Sequence, residues 1–229
     1  HYEFGVGVDP DPELAVSWYR RAAQEGSAEG MCCLGWLMEQ GKWLEKDPEG
    51  AVALYRQAAD LGSGRALLLL ADCLLHGTGT QADPAQAVRC YEKGAANGDG
   101  DAMCCLGYCY EQGTGVLQDW ERAACWYHQG AEHGSGRAMG NLAWCCDNGK
   151  GVEQDTEAAT LWYRRGAEAG DVRSMFCYAC CCEYGDGMEP DLEQAVHWYR
   201  KAADRGENWA MLSLGRLYED GDGVEQDWE

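Results

Sequence analysis

Apolar and polar positions alternate along this chain with the spacing of short helices. From Gly30 to Met38 the apolar residues fall at i, i+3 or i+4 and i+7 along one stripe, which is one face of a helix. A second stripe, Ala51, Leu54, Tyr55, Ala58 and Ala59, follows the segment Asp47-Pro48-Glu49. That segment is a helix start: Asp caps the free N–H groups, Pro takes the first helical position, and Glu complements the dipole. The stripe runs to Gly62, placed as a C-terminal glycine cap, and a new helix opens near Ala66. The pattern predicts two short helices in succession, called A and B.

The same pair recurs along the chain. Gly41, Gly77, Gly113, Gly149 and Gly185 are spaced by 36 residues, as are Asp47, Asp83, Asp119, Asp155 and Asp191, and Tyr55, Tyr91, Tyr127, Tyr163 and Tyr199. Position 35 and its equivalents are always Gly or Ala (Ala71, Gly107, Ala143, Ala179, Gly215), a notch that lets another helix approach. The Gly-x-Gly turn after helix A supplies residues tolerant of positive φ. A pair this small cannot bury its own apolar face, so neighbouring pairs must stack. The expectation is an all-α solenoid of about six 36-residue helix-turn-helix repeats. A globular bundle would not need the same small residue at the same phase of every hairpin.

The run Ala-Met-Cys-Cys-Leu-Gly-Tyr-Cys-Tyr-Glu-Gln-Gly-Thr-Gly-Val from Ala102, followed by Asp119, Ala123, Trp126-Tyr127 and Ala131, resembles the Sel-one-like repeat family, cousins of tetratricopeptide repeats. The match extends over essentially the whole chain. It departs from the pattern where Trp43 replaces the second loop Gly, and where Leu54 and Cys90 replace the helix B Trp. The resemblance implies a right-handed superhelix acting as a scaffold or adaptor, with no shared catalytic site. Both ends of the sequence are out of phase with a whole repeat, so the expectation is one solenoid over residues 1–229, excerpted from a longer array.

In the arrangement the resemblance implies, helix A lines a concave wall, and its residues off the packing stripe face a partner. Those positions carry Trp36, Tyr108, Trp144, Phe176 and Trp209 as an aromatic ladder, with Arg137 and Arg173 in the preceding turn. Rigid aromatics and Arg dominate binding hot spots. A row of acids, Glu39, Glu111, Asp147, Glu183 and Glu219, either lies in solvent or reads an extended peptide bearing basic groups. Trp18, Trp126, Trp162 and Trp198 recur at one helix B phase and are expected in the core.

Composition narrows the partners. With 39 acidic against 18 basic residues the formal charge is −21, which disfavours nucleic acid and anionic membrane. There is no apolar run long enough to span a bilayer. Fourteen cysteines raise the question of a disulfide framework. Cys73, Cys109, Cys145 and Cys181, however, share a phase with Leu37 and Leu217, as small buried apolar residues would. In a cysteine-rich bacterial branch of the resembled family, bridges start from a helix B position that here is always Ala. Reduced thiols and a cytoplasmic home follow, with a secreted or periplasmic home still open because of the out-of-phase ends. The Cys-x-x-Cys within Cys177–Cys182 lies inside a helix, where a zinc knuckle needs a turn. The five histidines share no ligand spacing, and no catalytic constellation or cofactor motif is visible. The expected function is a protein or peptide scaffold without enzymatic activity. The alternatives are a secreted bacterial hydrolase or β-lactam-like cell-wall-ligand binder, and a structural spacer.

Overall fold

The computed structural model describes residues 11–221. Among them are twelve helices and no strand: α1 (Pro12–Gln24), α2 (Ala28–Gln40), α3 (Pro48–Asp60), α4 (Gly64–His76), α5 (Pro84–Ala96), α6 (Gly100–Gln112), α7 (Trp120–Glu132), α8 (Gly136–Asn148), α9 (Thr156–Glu168), α10 (Val172–Tyr184), α11 (Leu192–Ala203) and α12 (Asn208–Asp220). Even-numbered helices are the predicted A helices and odd-numbered ones the B helices. The fold is an all-α solenoid.

Every B helix is started by its recurrent Asp. The Asp47 carboxylate accepts the Gly50 N–H at 2.8 Å, and Asp83, Asp119, Asp155 and Asp191 do the same at 2.9 to 3.0 Å. The A helices begin two residues earlier than the apolar stripe implied. Ser27, Ser63 and Ser135 cap them through their hydroxyls, and Asp171 replaces Ser in the fifth repeat. Each A helix of the pairs α2, α4, α8 and α10 ends on a left-handed glycine: Gly41, Gly77, Gly149 and Gly185.

The second glycine of the turn has a further reason to be glycine. A Cβ on Gly79 would overlap the Pro48 carbonyl oxygen at the start of the preceding B helix, and one on Gly187 would sit 2.5 Å from the Thr156 carbonyl. The turn therefore rests on the helix before it. Trp43 is the one non-glycine residue among those described with positive φ, at 65°.

The chain divides into two compact units, the first comprising residues up to Ala102 with Thr114–Leu117, the second Met103–Gly113 and the residues from Gln118 on. In the first, α2 packs on α3, α4 on α5, and successive pairs meet through α3 and α4. In the second, α8 packs on α9, α10 on α9 and α11, and α11 on α12. Both cores are built from the B-helix Tyr and Ala and the A-helix Leu, Met and Cys.

The notch expected at position 35 is filled by the tyrosine of the same repeat. A Cβ on Gly35 would lie 2.6 Å from the Tyr55 ring, and one on Gly107 would lie 2.7 Å from the Tyr127 ring. The four cysteines that alternate with leucine are buried as expected: Cys73, Cys109, Cys145 and Cys181.

The helix B tryptophans are a correction. Trp198 is buried, but Trp126 and Trp162 are half-buried and Trp18 is 50% exposed. The phase lies at the edge of the B-helix stripe, so burial depends on what covers it. Tyr178 meets Trp198 edge-on at 5.8 Å, where the other repeats carry the shorter Leu34, Leu70, Leu106, Leu142 and Leu214.

Among the described residues, no helix is long and apolar enough to cross a membrane.

Candidate functional site

On the A helices one phase points outward. Trp36 and Tyr108 on it are exposed, Asp72 and Arg216 are exposed, and Trp144 and Cys180 are half-buried. The first-turn phase is also outward: Arg65, Arg137, Arg173 and Trp209 are all exposed, Trp209 by 66%. The phase of Phe176 points the other way. Cys32, Cys104 and Gly140 on it are buried, and Phe176 is half-buried with its ring 5.8 Å from that of Tyr199. Phe176 therefore packs against the core, while Tyr108 and Trp209 stand in solvent.

The acidic row has a structural partner that the sequence reading did not anticipate. Tyr127 donates its phenol to Glu111 Oε2 at 2.6 Å, Tyr199 to Glu183 at 2.8 Å and Tyr55 to Glu39 at 3.0 Å. In the second repeat the acid position holds Leu75, and Tyr91 donates instead to Asp72 Oδ1 at 2.9 Å. Asp72 sits three residues earlier, one turn back on the same face, so the carboxylate has moved while the bond is kept. These tyrosines are buried and need a phenol partner. Burial, then the neighbouring carboxylate, pushes the phenols of Tyr55 and Tyr127 well above their usual range. For Tyr199, burial and its bonds to Cys180 and Glu183 do the same. They remain protonated donors.

This leaves few acids open to a partner. Glu183 also holds Arg216 in an ion pair, and the second oxygen of Glu111 accepts from Gln112 at 2.9 Å. Glu39 and the half-buried Asp147 carry no ion pair among the described residues. Arg65 pairs with Glu29 at the equivalent position one repeat earlier. Arg173 makes no ion pair or hydrogen bond among the described residues.

One outward tryptophan holds a cation directly, and another packs on a tryptophan that does. In the first unit the Lys42 ammonium lies 5.3 Å from the Trp36 ring and 4.1 Å from the Trp43 ring. In the second, Trp144 packs on Trp120 at 5.7 Å between ring centres, and Lys150 lies over Trp120 at 5.7 Å.

All fourteen cysteines are free thiols. Burial raises the thiol of Cys145 and that of Cys177 to about 12, the opposite of an activated nucleophile. Among the described residues, no three His, Cys, Asp or Glu side chains gather as metal ligands. Shallow recesses recur at the B-helix starts, such as that around Lys46, Asp47, Pro48 and Glu49, and are wide open to solvent.

The sequence matches the Sel1 repeat over residues 1–27, 28–63, 64–99, 100–135, 136–171, 172–207 and 210–227. The structure is similar to that of a Sel1 repeat protein from Oxalobacter formigenes, with 31% identity, a TM-score of 0.80, and 93% of this chain and 94% of that one covered. It is also similar to c5321, a protective antigen of uropathogenic Escherichia coli with an SLR fold, with 30% identity and a TM-score of 0.74. There the match covers 99% of this chain and 49% of the other, so this chain spans about half of that protein's length. A Sel1 repeat protein from Klebsiella pneumoniae shares the fold at 20% identity and a TM-score of 0.56, with 88% of this chain and 98% of that one covered. No curated protein matches the sequence significantly.

Proposed function

We propose, from the premise that this chain belongs to the Sel1 repeat family, that it is a scaffold whose A helices take a partner protein or peptide. Sel1 repeat proteins are generally non-catalytic scaffolds for protein interactions. The finer assignment is to the outward phases of α6, α8, α10 and α12. One observation carries it: Tyr108 and Trp209 are 53% and 66% exposed on a frame that buries the recurrent tyrosines Tyr55, Tyr91, Tyr127, Tyr163 and Tyr199. Large exposed aromatics are the residues from which interface hot spots are made.

Arg137 and Arg173 stand at the first-turn phase shared with Trp209 and add directional donors to the apolar anchors. Tyr108 and Trp209 supply the apolar contact. Phe176 supports this face from behind by holding Tyr199.

The test is a peptide-library screen against the chain and against a Tyr108→Ala, Trp209→Ala double variant. Both changes are at exposed sites, so the variant should fold with unchanged helicity. A peptide class bound by the parent and lost by the variant supports the assignment. Equal binding by both places the partner elsewhere on the molecule.

A further inference from the structure

In the described repeats the position of Trp36 reads Trp36, Asp72, Tyr108, Trp144, Cys180 and Arg216, and the position six residues on reads Lys42, Thr78, Thr114, Lys150 and Asp186 in the first five. Lysine appears only in the two repeats that carry tryptophan. In both, a second tryptophan completes a cluster, and it is recruited from a different place each time. In the first repeat it is Trp43, in the loop itself. In the fourth it is Trp120, at the first position of α7, where α1, α3 and α5 carry Pro. Two unrelated substitutions thus each bring two tryptophans and an ammonium together, with Lys42 against both Trp36 and Trp43, and Lys150 over Trp120, which itself packs on Trp144.

Trp43 is not required by the fold, whereas Trp144 is half-buried and packs against the core of the second unit. The turn holding Trp43 is closed elsewhere by Gly79, Gly115, Gly151 and Gly187, which adopt positive φ without strain. Trp43 adopts φ 65°, a left-handed conformation strained for a residue with a side chain, and the residue is still 37% exposed. Backbone strain retained at an exposed aromatic is the kind of feature that collects at ligand clamps. A carboxylate lies one turn beyond each outward tryptophan, Glu39 after Trp36 and Asp147 after Trp144, and neither is in an ion pair among the described residues.

We infer that each tryptophan pair is a clamp for a cationic side chain of the lysine class, methylated or not, presented by a partner segment, and that Lys42 and Lys150 occupy the clamps until it arrives. An ammonium over a tryptophan face is attracted by the ring's quadrupole, and quaternary ammonium groups are recognised by such aromatic surroundings. The incoming ammonium takes the lysine's place over the rings and finds Glu39 or Asp147 one turn away. The displaced Lys150 returns to water at little cost, since it is already exposed. The formal charge of −21 draws a basic segment towards the chain. This inference gives a ligand class to the scaffold reading and rests on it, but uses residues other than Tyr108 and Trp209.

The experiment is calorimetric titration of the chain with tetralysine, with its trimethyllysine counterpart and with tetraglutamate. The decisive variant is Trp43→Gly with Trp120→Pro. Each change installs the residue that other repeats use at that place, and neither alters charge. It should keep its helicity and melt within a few degrees of the parent. We expect saturable binding of both cationic peptides, none of tetraglutamate, and a loss of about tenfold in the double variant, the size of a lost cation–π contact. Lys42→Gln with Lys150→Gln should bind more tightly than a control of equal charge, Lys46→Gln with Lys93→Gln. Parent-like binding by the tryptophan double variant overturns the inference, as does the absence of saturable binding up to millimolar peptide, or weaker binding by Lys42→Gln with Lys150→Gln. A failure here leaves the Tyr108 and Trp209 screen unaffected. A negative screen with cation binding intact would instead move the partner site to the clamps.

Discussion

The phenol of Tyr127 donates a hydrogen bond of 2.6 Å to Glu111 Oε2, joining the buried face of α7 to the edge of α6. It fastens the B helix of a repeat to its A helix, and it recurs in Tyr55 with Glu39 and in Tyr199 with Glu183. Tyr127→Phe should therefore destabilise the chain by about 1–2 kcal/mol, the cost of removing one partner of a bond to a charged group in a part-buried setting. Glu111→Gln keeps an acceptor and should cost less. Urea unfolding of both variants, compared at constant m-value, measures the difference.

The second repeat offers a sharper test of the same bond. Asp72 accepts from Tyr91 because Leu75 stands where the other repeats have an acid. Asp72→Ala should cost about 1 kcal/mol or more by removing the carboxylate to which the buried Tyr91 hydroxyl donates. Adding Leu75→Glu to that variant should restore most of the loss, because it returns the acid to its usual phase. If the double variant is no more stable than Asp72→Ala, the carboxylate had not simply moved along the helix.

How much of this was legible in the sequence follows from what sets each feature. The helices, caps and turns depend on local chemistry repeated at a fixed period, so Asp47, Gly41 and the Ala51 to Ala59 stripe were enough to place them. The Ser63 cap was missed because the apolar stripe starts three residues after it, at Ala66, and drew the boundary inward. The outward phase of Trp36 and Tyr108 was also legible. The fate of the acidic row was not. Whether Glu183 meets solvent, a ligand or Tyr199 depends on the distance between two helices, which periodicity does not fix. The moved acid at Asp72 did leave a signal: it is the one acid on its phase, in the one described repeat that has Leu75 instead of an acid.

Glycines that look equivalent in the sequence should differ in what they tolerate. Gly62 has φ 86° and open space around its missing Cβ, whereas a Cβ on Gly151, at φ 72°, would strike the Trp120 carbonyl oxygen. Gly62→Ala should cost only the strain of a left-handed residue, about 1–2 kcal/mol. Gly151→Ala adds the displacement of the α7 start to that strain and should cost clearly more. Thermal melts of the two variants at equal pH would show the order, and equal losses would mean that the turn is free to move away from α7.

Alkaline pH should destabilise this chain. The buried thiol of Cys145 is raised from 9.0 to about 12, by burial first and then by Glu111, and the phenol of Tyr163 is raised further, again mainly by burial. A group whose folded pKa lies above its unfolded value contributes stability that is complete below the unfolded pKa and is lost as pH rises. The loss should begin near pH 9 as the thiols of the unfolded chain ionise, and steepen above about pH 10 with its phenols. Urea midpoints measured from pH 7 to 11 in reducing buffer check this. Cys145→Ala should flatten the early part of the fall.

One sequence phase with two environments gives the last prediction. Trp198 is 8% exposed beneath Tyr178, while Trp18 is 50% exposed with Arg21 over its ring at 5.5 Å. Trp198→Ala removes a buried aromatic from beneath Tyr178, so it should cost about 3–5 kcal/mol. Trp18→Ala forfeits only the covered part of its surface and an exposed cation–π contact, about 1–2 kcal/mol. The lid itself can be tested by giving Trp198 the cover its equivalents have. Tyr178→Leu should destabilise by about 1 kcal/mol or more through lost ring packing, and it should shift Trp198 fluorescence to the red as water reaches the indole. Emission unchanged in Tyr178→Leu would mean that Trp198 is held by α11 and its own neighbours and not by the residue facing it from α10.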